Sequence, residues 1–91
     1  MNIAAAITAP IPLVRLPLGR RAAVTAIEWE RLSAPESRRL RELGLDEGVE
    51  VELMHKGGIL GGPVACRIGR MTVALRRHVA AAILVEARSG A

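Results

Sequence analysis

The plainest pattern in the chain is Val49-Glu50-Val51-Glu52-Leu53, where every second residue is apolar. A period of two predicts a strand with one buried and one wet face. Residues 64–75 permit a register test. If Gly69-Arg70 is a two-residue hairpin turn with glycine first, as type II′ requires, then Ile68 faces Met71, Cys66 faces Val73 and Val64 faces Leu75. All six are apolar and are expected to fill the core. Arg67 with Thr72, and Ala65 with Ala74, share the opposite face, so turn chemistry and alternation select the same register.

Other elements are predicted from local signals. Leu18-Gly19-Arg20 reads as a turn leading into a short strand from Ala22 to Ile27. Ser33-Ala34-Pro35-Glu36 has the spacing of a capping box with proline in the first turn, so a helix begins there. Leu40 and Leu43 lie on one face of it, and Gly44 sits where a left-handed C-cap needs a residue without Cβ. Asp46-Glu47-Gly48 is a turn, the glycines around Ile59 and Leu60 mark a flexible connection, Arg76 to Ala81 is one helical turn, and Ile83 to Val85 is a closing strand. The expected fold is mainly β, a small, strongly bent barrel of five strands with one short helix between the first and second.

At 91 residues the chain makes one small domain. It has no Phe or Tyr and a single Trp, so its core is aliphatic and it has no platform for stacking bases. Thirteen Lys plus Arg against nine Asp plus Glu leave a net charge of +4, a mild bias toward an anionic partner. The uncharged start, Met1 to Val14, has no basic leader and is interrupted by Pro10 and Pro12. It is read as a loosely held arm, with the domain at residues 15–88. Cys66 is the only cysteine, which excludes an intrachain disulfide and fits a reducing, cytoplasmic setting.

Candidate chemistry is sparse. His55, His78, Cys66 and the Glu50/Glu52 pair contain metal-ligating types, but no two have a recognised ligand spacing. His55 is expected to end a strand, His78 to lie on a helix surface and Cys66 to be a small core residue. No nucleophile stands with a base, so no enzymatic site and no cofactor is expected. Arg38, Arg39 and Arg41 share a helix with Glu36 and Glu42, a pattern that ordinarily gives pairing in solvent. Arg67, Arg70, Arg76 and Arg77, on or beside one hairpin, form the only dense basic patch not interleaved with acids and are the candidate partner-binding residues, with Ile59 and Leu60 as an aliphatic alternative.

The run Leu40-Arg41-Glu42-Leu43-Gly44-Leu45-Asp46-Glu47-Gly48-Val49-Glu50-Val51 is followed in order by Gly62-Pro63-Val64, Gly69, Ala74-Leu75-Arg76, Ala80 and Ile83-Leu84-Val85. With this ordered set the chain, from about Leu16 to Val85, resembles the FeoA family of ferrous iron transport. It implies an SH3-like barrel and a partner, FeoB, a membrane iron permease with a cytosolic G domain. The chain would be a cytoplasmic accessory that touches the membrane only through that partner. An RNA-binding barrel of the KOW type is the alternative, and a metal-binding regulatory module the third reading. Against RNA stand one lysine, one aromatic and an acidic strand.

Overall fold

The computed structural model describes residues 9–57 and 61–87. Its six strands are β1 (Ile11–Pro12), β2 (Arg21–Ile27), β3 (Glu50–His55), β4 (Val64–Ile68), β5 (Met71–Leu75) and β6 (Ile83–Ala87). They form one sheet in the order β1-β6-β2-β3-β4-β5, with every neighbouring pair antiparallel. Helix α1 (Ala34–Glu42) lies in the β2–β3 connection and α2 (Arg77–Ala81) between β5 and β6. Single 3-10 turns occupy Leu13–Arg15 and Trp29–Arg31.

The mainly β fold has six strands rather than five. The hairpin register holds residue for residue: Ile68 pairs with Met71, Cys66 with Val73 and Val64 with Leu75. Gly69 has φ +62°, and Arg70, like every non-glycine described, does not have a positive φ. That combination is the type II′ turn. Val64, Cys66, Ile68 and Leu75 are buried, whereas Val73 is half-buried and Met71 is 43% exposed. Met71 belongs to an edge strand with no second neighbour to cover it, so the expectation that it fills the core is corrected.

Register shifts fall between Val24 and Ala26 in β2 and between Leu53 and His55 in β3. Such bulges bend a strand and sharpen its twist. The first is tied by Thr25, whose hydroxyl donates to the Leu84 carbonyl at 3.2 Å. The sheet curls without closing, since β1 and β5 stay at opposite edges.

The N-terminal arm also needs correction over residues 11–14. Ile11 pairs with Val85 and Pro12 with Leu84, and Leu13 is completely buried in the same cluster as Leu16, Val79 and Ile83. A strand of two residues containing proline has no readable period, and its pairing is set by β6 from the far end of the chain. The core is aliphatic, running from Leu13 and Leu16 through Val24, Leu53 and Cys66 to Leu40, which α1 presses onto the sheet.

Candidate functional site

Helix α1 is held at both ends by its own sequence. Ser33 accepts from the Glu36 backbone N–H at 3.2 Å, and the Glu36 carboxylate accepts from the Ser33 backbone N–H at 2.9 Å, a reciprocal capping box. At the other end Gly44 has φ +83°. Its N–H donates to the Arg41 carbonyl and that of Leu45 to the Leu40 carbonyl, both at 3.0 Å. These two bonds are a Schellman motif, and Leu45 and Leu40 are both buried in the core cluster.

Fixed in this way, α1 stands beside α2 and the end of β5, and a cleft of about 530 Å³ opens between them. Leu40, Leu75 and Val79 are among its apolar lining, and Glu36, Arg39 and Arg76 its charged rim. Glu36 spans the two helices: its Oε2 lies 2.6 Å from His78 Nε2, a contact 42 residues apart in sequence. The backbone N–H of Ser33, then His78, hold the Glu36 carboxyl below its ordinary pKa. The ionic partner of the Glu36 carboxylate is thus His78 of the other helix. Arg41 instead lies over the Trp29 ring, 4.5 Å from its centroid. No sequence signal marks these contacts, because each joins separate elements.

The predicted basic residues do not form one patch. Arg67 projects from the exposed face of β4, as expected, but its neighbour on β3 is Glu52 and its neighbour on β5 is Thr72. Glu52 also faces Arg21 across β2, at 3.9 Å. Arg67 therefore sits in an alternating row of charges beside Glu50 and Glu52, and the expectation of a patch free of acids is corrected there. Arg70 is on the hairpin turn and Arg76 just beyond β5, roughly 20 Å away at a strand rise of about 3.4 Å per residue. Arg77 follows on α2. Ile59 and Leu60 lie outside the described residues.

Cys66 is fully buried in the core, and burial pushes its thiol up to about 11, so it is protonated and inert as a nucleophile. His55 ends β3 and is exposed. Among the described residues no group of three or more His, Cys, Asp or Glu side chains is placed to hold a metal ion. No described helix is long and apolar enough to cross a membrane.

The FeoA domain family model matches residues 11–87, from the first residue of β1 to the last of β6. The chain belongs to the FeoA family. Solved FeoA structures share its fold. Stenotrophomonas maltophilia FeoA, determined with zinc and described as an SH3 domain protein and candidate ferrous iron transport activating factor, is 34% identical. The two superpose with a TM-score of 0.68 over 87% of this chain and 91% of that one. Chlorobium tepidum FeoA is 30% identical, TM-score 0.75, over 89% and 73% of the two chains. A FeoA-like protein of Clostridium acetobutylicum is 26% identical, TM-score 0.70, over 89% and 90%. No curated protein matches the chain in sequence. The family's boundary at residue 11 coincides with β1, which the polarity pattern had assigned to the arm.

Proposed function

We propose that this chain is a non-enzymatic accessory of ferrous iron uptake, acting in the cytoplasm by docking on the cytosolic G-domain region of a FeoB-type permease. The observation that carries this reading is the FeoA domain spanning all six strands. The chemistry of the described residues agrees with it. The one thiol is buried and protonated, and the single aromatic ring is covered by Arg41, so neither nucleophilic catalysis nor base stacking has a foothold. What remains is a surface for a protein: the α1–α2 cleft, rimmed by Arg39 and Arg76, with Arg77 next in the chain on α2 and Arg70 at the far end of β5. An acidic partner surface would be steered to these cations, with an on-rate that falls as salt rises.

The test is capture of the cytosolic G-domain region of FeoB by the full chain, with GDP and with a non-hydrolysable GTP analogue. Specific capture in at least one nucleotide state is the expected result. Absence of capture in both, with folded proteins, would overturn the docking reading.

A further inference from the structure

Among the described residues, β5 is a five-residue strand at the edge of the sheet, paired on one side only. In the β4–β5 ladder, the residues flanking the two-residue turn exchange hydrogen bonds, so Met71, Val73 and Leu75 direct their backbone groups toward β4. Thr72 and Ala74 must then point their N–H and C=O groups away from the sheet, and both residues are exposed. No described strand pairs with that side. Native edges of this kind are usually protected by proline, a charge in the strand or a bulge. Met-Thr-Val-Ala-Leu has neither proline nor charge, and its β4 register is unbroken.

The charges at its two ends indicate what it takes. Arg70 stands at one end and Arg76 at the other, both exposed. If two copies of this chain paired β5 to β5 antiparallel over all five residues, Val73 would lie on the two-fold axis and each Arg70 would face an Arg76. Like charges directly opposite disfavour that pairing. A strand with an uncharged, β-branched centre and carboxylates at both ends has the reverse complementarity. Past Leu75 the same edge runs into the α1–α2 cleft, whose lining includes Ala74, Leu75 and Arg76, so a segment continuing beyond the strand would meet apolar floor and the Arg39 guanidinium.

We infer that β5 is an acceptor edge that binds an extended, acid-flanked segment of a partner protein by adding it as a seventh strand, with Thr72 and Ala74 supplying the backbone hydrogen bonds. This deepens the docking reading and rests on it, by naming the place and the chemistry of the contact.

The probe is a labelled peptide of alternating valine and threonine with glutamates at both ends, compared with the same peptide ending in lysines. Binding to the full-length chain is read by fluorescence anisotropy, and amide exchange by NMR. The glutamate peptide is expected to bind about tenfold or more tightly than the lysine peptide and to slow exchange at Thr72 and Ala74. Arg70→Glu with Arg76→Glu should invert that preference, and Ala74→Pro should abolish binding with the melting temperature little changed, because the N–H it removes faces solvent. Equal binding of both peptides, binding without protection of Thr72 and Ala74, or no binding of either would overturn the edge proposal. So would a β5-dependent homodimer in sedimentation. FeoB capture that survives Ala74→Pro and the charge reversal would also overturn it while leaving the docking reading intact, whereas loss of wild-type capture would count against that reading itself.

Discussion

The two edges of the sheet are built on opposite plans. At one edge β1 is two residues long and contains Pro12, which has no N–H to offer a further strand. The chain turns at once into a 3-10 segment whose Leu13 is driven into the core beside Val79 and Ile83. At the other edge β5 is five residues long, lacks proline and charge, and leaves Met71, Thr72 and Ala74 exposed. One edge is sealed by brevity, proline and a buried anchor, and no described strand pairs with the outer side of the other. The contrast shows that exposure of β5 is not a general property of a small sheet.

The largest expected effect is at the sealed edge. Leu13→Ala removes a fully buried side chain and should cost about 2–5 kcal/mol, whereas Met71→Ala on the open edge should stay within about 0.5 kcal/mol. Urea unfolding of both variants checks the comparison, and similar losses would erase it.

Next in size is the C-terminus of α1, the helix whose Glu36, Arg39 and Leu40 line the cleft beside β5. Gly44→Val forces a β-branched residue into the left-handed region and should cost about 1–2 kcal/mol. Gly44→Asn, a residue that tolerates that region, should cost less, and thermal unfolding separates the two.

The N-terminus of α1 gives a smaller, pH-dependent effect. Ser33→Ala removes one half of the capping box and should cost about 1 kcal/mol. Glu36 has its folded pKa lowered by the Ser33 N–H and by His78, so its contribution is present above the ordinary value of 4.5 and is lost as pH falls through the lower, folded value. Wild type should therefore lose stability in that acid window, and Glu36→Gln should show less of the loss. Melting temperatures of the two proteins across that range test it.

The smallest effect on stability belongs to the arginines around the open edge. Arg76→Glu with Arg77→Glu changes exposed charges and should leave the melting temperature close to wild type while weakening partner capture.

What could be read from the chain follows the same division. Helix α1, its capping box and the Gly44 terminator are encoded within a dozen residues, and the β4–β5 register is encoded by a two-residue turn and its flanking alternation. Both were legible because local chemistry sets them. Strand β1 was not, because its two residues acquire meaning only when Leu84 and Val85 arrive from far along the chain. The setting of Arg67 was hidden for the same reason. Its orientation follows from the hairpin, but its neighbour Glu52 follows from a β3–β4 register separated by a glycine-rich connection. The Glu36–His78 contact across the cleft has no signature at all, since it depends on two helices meeting. The candidate site was therefore legible as a set of arginines and illegible as a surface.

Amide hydrogen exchange along β5 in the isolated full chain tests the open edge most directly. Val73, bonded to Cys66 across the ladder, should exchange slowly, while Thr72 and Ala74 on either side of it should exchange close to the rate of an unstructured peptide. Protection of Thr72 and Ala74 comparable to that of Val73, in dilute protein without any partner, would mean that the edge is already covered and would contradict the account.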